Sequence, residues 1–535
     1  MESHCFTRGR GRPVLPPVLV EKEWRGMRRK EALQQLNFGQ SVAEFEDDLV
    51  RYFVETETFR ALIHGRVDIV AGDKGTGKSA LFKILSERYT EVAELNQVEI
   101  VPAFNASGDP VFRQLAEGGV LTEGQYRTVW KTYVLSFAGN RLLERYDGQW
   151  TPSMSKLDAL LRRLDLRETD DSPASVFSRL IAIIRRLKPK KAGVALSFDE
   201  AGLPVTTPQL EFSDGEEKAT PEVIRHSESL GLLNAALEEA NIFLWLVLDR
   251  LDEAFAGYIM TEVPALRALF RTYLDLQEFS QIELKMFVRK DLFRRITKGG
   301  FVNLSHINDR KVEIVWDDND LLNLLIQRVR ANEEFMRTAQ LEGKSNTEIF
   351  DALFPAQVEA GSRRPPTLKW MLSRIRDGQD VKPPRNLIDL VKKTQEEQLR
   401  REDREAHEFV PGRPLFEPEA IKDAQTRLSK DRVVDTLLAE SGQLQEIIEK
   451  FRGGKAEYNH ESIQKRLGWG SHPDGEAATA VAIRELMDMG FLERIRESET
   501  FKIPMLYRDG LDITQGKAFQ TSEDAEEKEE EYETW

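Results

Sequence analysis

Several features that are common in other protein classes are scarce in this chain. A single cysteine, Cys5, among 535 residues allows no intrachain disulfide, which favours a reducing compartment such as the cytoplasm. The longest apolar run, residues 242–248, is far shorter than the roughly 20 residues that a membrane-spanning helix needs. The first residues lack the apolar segment of a secretion signal, and the seven histidines show no metal-binding spacing. We therefore expect a cytoplasmic globular protein without a membrane partner.

An overall positive charge is missing as well. Lys and Arg number 76 against 91 for Asp and Glu, and the formal net charge of −15 argues against general nucleic-acid binding. The charge is uneven, because residues 1–30 contain eight basic and three acidic residues, whereas residues 522–535 are almost entirely acidic. We expect a flexible basic arm at 1–36 and an acidic tail at 521–535.

The hydrophobic pattern between these ends predicts an α/β core followed by helices. Helical spacing occurs at 42–63, and a polar, turn-rich stretch at 203–221 is typical of a surface loop or insertion. Four apolar strand candidates separated by helical stretches indicate a parallel sheet; they are residues 67–71, 98–104, 242–248 and 282–288. Only helical spacing follows residue 316, until two short helical patterns and a possible β-ribbon resemble a winged helix. The predicted domains are an α/β core at 37–316, a helical lid at 317–400, a helical linker at 401–440 and a winged-helix domain at 441–520.

One motif carries the strongest chemical signal. Residues 72–79, GDKGTGKS, match the phosphate-binding pattern GxxxxGK[ST] completely, with an apolar strand candidate before them and a helical pattern after them. The glycines let backbone N–H groups surround phosphate oxygens, and the start of the following helix adds partial positive charge. Lys78 is expected to reach the β- and γ-phosphates, and Ser79 is expected to bind Mg²⁺. The predicted contacts with the nucleotide are Gly72, Asp73, Lys74, Gly75, Thr76, Gly77, Lys78, Ser79 and Ala80.

Acidic residues follow the third strand candidate directly. Seven apolar residues lead into Asp249, and Asp252 and Glu253 come shortly after it. Because ligands bind at the carboxyl ends of parallel strands, we assign Asp249 to the magnesium ion and the activation of the attacking water to Asp252 or Glu253. Acidic residues that cap a following helix would give the same pattern, and the sequence does not choose between Asp252 and Glu253.

Three basic residues are further candidates, each with a second interpretation. Lys74, inside the glycine-rich loop, either adds positive charge for the phosphates or points to solvent. Arg289, at the end of the fourth strand candidate, either contacts the γ-phosphate or pairs with Asp291. Arg385, which precedes a helical pattern in the lid, either lies over the nucleotide or begins a solvated helix.

Taken together, these motifs resemble the STAND and origin-recognition branch of the AAA+ ATPases. The resemblance rests on the C-terminal winged helix and on the segments GDKGTGKS, LVLDRLDE, FVRKD and PPRNLIDL. More narrowly, FGQSVAEFEDDLVRYFVET and IPMLYRDGL are similar to segments of a family of bacterial P-loop ATPases, many of them encoded beside antiviral defence or other mobile genes. The similarity covers most of residues 37–518. It implies an α/β P-loop NTPase of AAA+/STAND-like fold that binds ATP and Mg²⁺ and couples hydrolysis to a conformational or oligomeric switch.

The sequence departs from that family in its acidic signature, which is DxxDE instead of an adjacent Asp-Glu pair. No guanine-reading NKxD motif follows the loop, so adenine is the expected base. Three functions are open. The chain is an ATP-driven switch that assembles with its own copies or a protein effector, a DNA-loading initiator-like ATPase, or a nucleotide-stabilised scaffold without turnover. The complete set of phosphate and magnesium residues favours turnover, and we expect the first function.

Two features bear on DNA binding, and neither is strong. Residues 10–13, RGRP, match the short core by which AT-hook peptides enter the minor groove, although a solvated basic tail gives the same four residues. The winged-helix region 455–515 contains eight basic and eleven acidic residues, and Arg484 is the one basic residue of its third helix before Gly490. DNA is therefore a possible but not a favoured partner, and we expect the winged helix to contact a protein or the lid.

Overall fold

The computed structural model describes residues 27–88, 95–105, 122–167, 194–198, 204–208, 226–251, 259–470, 474–495 and 499–519. Four features that the sequence singled out lie outside these ranges. They are Cys5, the RGRP segment at 10–13, the acidic tail at 521–535 and the acidic pair Asp252 and Glu253.

The described strands form a five-stranded sheet, a four-stranded sheet and a two-stranded hairpin. The five-stranded sheet has the order β2-β5-β6-β1-β7, and every neighbouring pair in it is parallel. It contains all four predicted strands and adds the short edge strand β7. The bounds are β1 Ile69–Gly72, β2 Val98–Asn105, β3 Val194–Phe198, β4 Pro204–Pro208, β5 Phe243–Asp249, β6 Ile282–Arg289, β7 Lys311–Glu313, β8 Lys455–Asn459, β9 Glu493–Arg494, β10 Thr500–Lys502 and β11 Thr514–Lys517.

The register of the large sheet brings three predicted site residues to one edge. β6 lies between β1 and β5, and Gly72 is paired with Arg289. Asp249 ends β5 opposite the last residue of β2. Because parallel strands carry their carboxyl ends on the same side, the phosphate loop, Asp249 and Arg289 open on one crevice, where ligands bind in such sheets.

Helices cover both faces of this sheet and form most of the C-terminal half. The α-helices are α1 Arg29–Gln34, α2 Leu49–Tyr52, α3 Glu57–Ile63, α4 Lys78–Arg88, α5 Glu123–Arg145, α6 Pro152–Arg163, α7 His226–Glu239, α8 Ile259–Leu276, α9 Lys290–Thr297, α10 Leu304–Asp309, α11 Asp318–Arg330, α12 Glu333–Thr338, α13 Asn346–Leu353, α14 Thr367–Ile375, α15 Pro384–Arg404, α16 Pro418–Arg432, α17 Ala439–Ser441, α18 Gln445–Glu449, α19 His460–Leu467, α20 Gly475–Asp488 and α21 Met505–Arg508. A 3₁₀ turn spans Ala43–Phe45, and a π-helical stretch spans Val433–Leu438.

The strands are apolar because both faces of the sheet are buried. On one side they pack against α5 to α8, in a cluster that includes Trp130, Tyr133 and Phe270. On the other side they pack against α3 and α4, where Phe59 and Phe82 are buried. Continuous apolar strands are the pattern that a doubly covered parallel sheet requires, so the strand predictions were confirmed.

The lid, α11 to α15, and the winged-helix domain, α19 to α21 with β8 to β11, share one hydrophobic core. That core joins Leu325 of α11, Trp370 of α14, Leu428 of α16 and Leu486 of α20. The segment predicted as a helical linker contains α16, which packs along α15 inside the same core. The predicted architecture is confirmed: an α/β core with a parallel sheet and the phosphate loop between β1 and α4, followed by a helical lid and a C-terminal winged helix. The AAA+/STAND-like assignment of this core stays a prediction.

The last residues of the arm predicted at 1–36 are not flexible but form part of the fold. Helix α1 lies within residues 27–36, and its Leu33 is fully buried in the shared core. The Arg29 guanidinium pairs with Glu402 at 3.1 Å and with Glu417 at 2.6 Å. The run of basic residues suggested a solvated arm, but these ion pairs and the buried leucine fix the segment on α15.

The region predicted as a loop at 203–221 is also different in part. Residues 204–208 form β4, which pairs antiparallel with β3, and the remaining residues of that region lie outside the described ranges. The helical spacing at 42–63 becomes a 3₁₀ turn and the short helices α2 and α3. The carboxylate of Glu46 accepts backbone hydrogen bonds from Gln40 and Asp48, which holds a turn where a longer helix would have to pass.

A buried ionic cluster lies at the amino-terminal end of β1, opposite the crevice at the carboxyl ends of the strands. Lys285, fully buried in β6, donates to the Asp68 carboxylate at 2.7 Å, and its ammonium lies 4.1 Å from the ring centre of Trp245. Tyr273 and Arg310 bond the same carboxylate at 2.8 and 2.9 Å. Burial alone would raise the pKa of Asp68, but the Lys285 charge and these hydrogen bonds hold that pKa below its ordinary value. The cluster ties β1 and β6 to α8 and to the entry of β7.

We predict that Asp68→Ala lowers the free energy of unfolding by roughly 3–5 kcal/mol, because it removes one of the two carboxylates that pair with the buried Lys285 ammonium. Urea denaturation measures the loss. Glu57→Gln is the control, since Glu57 forms an exposed pair with Arg66 and should cost less than about 1 kcal/mol. Because the folded-state pKa of Asp68 is depressed, its contribution should be present at neutral pH and fade as the pH falls below about 4. Equal, small losses in both variants would contradict the assignment.

Candidate functional site

The phosphate loop joins β1 to α4 with the backbone that its glycines allow. Gly75 and Gly77 have φ angles of +77° and +101°, which side-chain-bearing residues rarely adopt. The Lys78 ammonium donates to the carbonyls of Gly72 at 3.1 Å and Asp73 at 3.0 Å. The loop is therefore closed on itself, and its backbone N–H groups and the start of α4 can receive an anion.

The surroundings of three further predicted nucleotide contacts, Thr76, Asp73 and Ala80, are defined by the structure. Thr76 is buried, and its hydroxyl donates to the Asp73 carbonyl at 2.7 Å. The Asp73 carboxylate pairs with Lys290 at 3.3 Å. Ala80 lines a cavity of about 110 Å³ beside the loop. No sequence pattern pointed to Trp316, whose indole N–H donates to the Thr76 carbonyl at 2.8 Å and supports the loop from the start of the lid.

The same cavity extends from the loop to apolar side chains. Tyr52 and Phe53 from the N-terminal segment and Ile314 and Trp316 from the end of β7 line it together with the loop. Flat apolar walls next to a phosphate cradle suit the base of a nucleotide. The sequence signal for Tyr52 and Phe53 was the apolar spacing at 42–63, which indicated a helix and not a cavity wall.

Asp249 and Ser79, the predicted magnesium residues, lie together. Asp249 is only 2% exposed, and burial raises the pKa of its carboxyl above the ordinary value, while the Ser79 hydroxyl and the Lys78 charge act in the opposite direction. Its Oδ2 is buried without a hydrogen-bond partner among the described residues. A buried carboxylate oxygen beside a hydroxyl and a phosphate loop is a donor set that fits Mg²⁺.

A second carboxylate reaches this position from the N-terminal segment. Glu44, in the 3₁₀ turn, forms an ion pair with Arg250, the residue after Asp249. Burial alone would raise the pKa of Glu44, but a backbone hydrogen bond, Arg250 and the Ser79 hydroxyl together lower it below the ordinary value. Arg250 itself has a φ of +55°, a strained backbone of the kind found at functional sites. Sequence reasoning missed Glu44, because 205 residues of chain separate it from Asp249.

Arg289 and Lys74 meet a third residue that the sequence did not single out. Arg289 pairs with Asp291 through two nitrogens, at 3.0 and 3.2 Å, which is the second interpretation offered for it. It also donates to Glu440 of α17 at 3.1 Å, and Lys74 forms an ion pair with the other oxygen of Glu440. Lys74 is thus an exposed side chain, in line with its second interpretation, and its ammonium is paired with Glu440.

Arg385 lies over the loop from the start of α15. A Cβ atom at position 75 would lie 3.1 Å from the Cβ atom of Arg385. The backbone nitrogen of Arg385 lies 3.5 Å from the Gly75 carbonyl oxygen. The Nε atom is buried without a hydrogen-bond partner among the described residues. The structure therefore brings Arg385 against the phosphate loop, and its contact with a nucleotide stays a prediction.

A larger cavity, of about 310 Å³, lies between the loop, the lid and the winged-helix domain. Its walls contain both signs of charge, including Arg289, Arg385 and Arg432 against Asp377 and Glu440. Burial, together with the charge of Asp73, raises the pKa of Asp377 to about 6. The cavity lies between the predicted phosphate site and the C-terminal domain, and side chains of α15 and α17 form part of its wall.

The winged helix contacts the lid, as predicted. The Gly378 N–H donates to the Gly490 carbonyl at 2.7 Å, and Arg376 pairs with Glu493 at 3.1 Å. The outward face of α20 holds Arg484 with acidic and small residues around it; the exposed residues are Glu476, Ala477, Ala478, Ala480, Val481, Arg484, Glu485 and Asp488. The third helix of the domain thus presents a mostly acidic and apolar surface.

Comparison with known proteins found structural neighbours only. No protein-family model matches the chain, and no curated protein matches it in sequence. The ORC2 protein of Aeropyrum pernix, in its ADPNP-ADP complexes, is 13% identical with a TM-score of 0.37, over 88% of this chain and 91% of that one. The Aeropyrum pernix ORC1 protein in complex with DNA is 14% identical with a TM-score of 0.35, over 88% of this chain and 96% of that one. The Walker-type ATPase PABY2304 of Pyrococcus abyssi is 11% identical with a TM-score of 0.37, over 89% of this chain and 98% of that one.

These TM-scores are below 0.5, so the function has to be inferred from the residues of the chain itself. Among the described helices, none combines the length and the apolar character needed to cross a membrane.

Proposed function

We propose that the chain is a Mg²⁺-dependent ATPase that works as a molecular switch, in which the nucleotide state controls the position of the C-terminal body and, through it, assembly with a second copy or activation of a protein effector. The observation that carries the proposal is the bridge from Glu440 to both Lys74 and Arg289. The similarity of the N-terminal and late segments to bacterial defence-linked ATPases makes antiviral defence the setting that we propose.

The bridge is a direct contact between the output part of the chain and the nucleotide site. Glu440 follows the π-helical stretch 433–438, a local distortion that is frequent at functional sites. Its side chain is about a quarter exposed, and both of its cationic partners line the same cavity. A carboxylate that forms ion pairs with the cationic side chains beside a phosphate loop competes with any anion that binds to the same side chains.

The γ-phosphate of ATP is such an anion. Arg289 is paired with Gly72 across the sheet and lines a cavity together with Asp73 and Lys74, which supports a position close to a bound γ-phosphate. When a γ-phosphate attracts Lys74 and Arg289, Glu440 loses its partners and the C-terminal body loses one attachment to the core. A diphosphate makes that demand more weakly, and the difference in binding free energy between the two nucleotides is what a switch requires.

Turnover is the first prediction. Lys78→Ala should abolish ATP binding, because it removes the phosphate partner of the loop. Glu253→Gln or Asp252→Asn should preserve binding and slow phosphate release about 100-fold or more, as loss of a general base does. ATP affinity and phosphate release are measured separately. Wild-type turnover in both acidic variants would remove these two residues from the water-activating role, and binding without turnover in the unmodified chain would indicate a scaffold.

The bridge supplies the second prediction. Glu440→Gln should raise ATP affinity about fivefold or more, because an internal competitor is weakened, and the gain should vanish when Arg289→Ala is added. Glu446→Gln, an exposed acid of α18 six residues away, is the matched control. Sedimentation of the variants with ATP, with ADP and without nucleotide then reports assembly. Equal ATP affinity in the Glu440 and Glu446 variants would contradict the switch that we propose.

DNA binding by the winged helix is the alternative function, and α20 is the element to test. We predict that the full chain shows no sequence-selective duplex binding at physiological salt, because the exposed face of α20 is mostly acidic and apolar. Binding is measured by titration of labelled duplexes with competitor DNA at several salt concentrations. A selective complex that weakens in Arg484→Ala, while Arg452→Ala outside that helix leaves it intact, would favour the initiator-like ATPase.

A further inference from the structure

We propose that Glu44 is a carboxylate of the magnesium site, supplied by the segment that precedes the phosphate loop. The inference rests on the proposed ATPase function and adds a residue to its metal shell. It would make the site a composite of the loop, the end of β5 and a 3₁₀ turn that lies outside both motifs.

The position of Glu44 is fixed from two sides. Its neighbour Glu46 forms a buried ion pair with Arg328 of the lid at 3.0 Å. Lys83 of α4 donates to the Glu46 carbonyl at 2.8 Å. The turn that carries Glu44 is therefore attached both to the lid and to the helix that begins with the phosphate loop, and Glu44 and Ser79 line the same cavity.

The arrangement of oxygen atoms is the main argument. Glu44 and Ser79 line one cavity beside the phosphate loop, and Glu44 pairs with Arg250, the residue that follows Asp249. Glu44 Oε2 and Asp249 Oδ2 are each buried, and neither has a hydrogen-bond partner among the described residues. Two buried acceptor atoms that receive no hydrogen bond call for a partner. A hard cation such as Mg²⁺, which takes oxygen ligands and keeps bound waters, satisfies all three groups.

A purely structural role for Glu44 has a clear basis as well. The ion pair with Arg250 uses one carboxylate oxygen and holds the residue that follows Asp249. If neutralising Arg250 were the whole role of Glu44, the effect of its removal would depend on the Arg250 charge. A metal role predicts an effect that persists when Arg250 is neutral.

The experiment uses the full chain saturated with ADP and follows Mn²⁺, a paramagnetic substitute for Mg²⁺, by electron paramagnetic resonance. Glu44→Gln should weaken Mn²⁺ binding roughly 10- to 100-fold, the range found when outer ligands of metal sites are removed. ADP affinity in the presence of EDTA should stay unchanged. Glu55→Gln, an exposed acid close in sequence, is the control and should bind Mn²⁺ like the unmodified chain.

The double variant Glu44→Gln with Arg250→Gln separates the two roles. Mn²⁺ binding that stays weak in the double variant supports the metal role, whereas recovery to the level of Arg250→Gln alone would overturn it. Unchanged Mn²⁺ affinity in Glu44→Gln would overturn it as well. Glu44→Asp, which keeps the charge on a shorter side chain, covers the case of poor folding and should bind Mn²⁺ more tightly than Glu44→Gln; equal affinities would contradict the proposal.

Failure of the ATPase proposal gives a different result. In that case the unmodified chain would not bind ADP in EDTA, or Asp249→Asn would leave Mn²⁺ binding unaffected. Neither outcome depends on Glu44.

Discussion

The position of β6 between β1 and β5 is the constraint on which the candidate site depends. This parallel pairing sets Gly72 level with Arg289 and brings Asp249 to the same edge of the sheet. At the opposite edge, the bond between Lys285 and Asp68 fixes β6 against the entry to β1. A shift of β6 by one residue would turn its buried side chains to the other face and displace Arg289 from the phosphate loop. The buried ionic cluster thus stabilises the register of β1 and β6 that brings the candidate site residues together at the carboxyl ends of the strands.

The C-terminal body reaches the nucleotide site as one unit, because the lid and the winged helix share a hydrophobic core. A change at Glu440 or Arg385 therefore acts on the whole body and not on a loose linker. In the switch that we propose, such a packed core moves as one body, so that the exchange of one ion pair would displace the winged helix. The contact between Gly378 and Gly490 belongs to the same unit, so the lid and the wing are expected to move as one.

The sequence was sufficient for the parts of the fold that short-range patterns encode. Continuous apolar runs identified four parallel strands, and GDKGTGKS identified the loop between β1 and α4. It was insufficient for β7, which is three residues long and, among the described strands, pairs with β1 at the border of the sheet. It was also insufficient for Glu44 and Glu440, whose partners are 206 and 151 residues away and carry no periodic signal. The basic residues near the N-terminus led to a wrong prediction at α1, because Arg29 forms ion pairs inside the fold instead of lying in a flexible arm.

Glu44 and Glu440 flank the phosphate loop with opposite consequences for a bound nucleotide. Glu44 shares a cavity with Ser79 and pairs with the residue after Asp249, where a bound magnesium ion would add positive charge and strengthen the attachment of Glu44. Glu440 lies on Lys74, where a γ-phosphate adds negative charge and weakens its attachment. If both proposals hold, the complex of magnesium and ATP tightens the N-terminal segment and loosens the C-terminal body in the same event. Hydrolysis and release of phosphate would reverse the second effect before the first, so the order of the two changes would give the switch its direction.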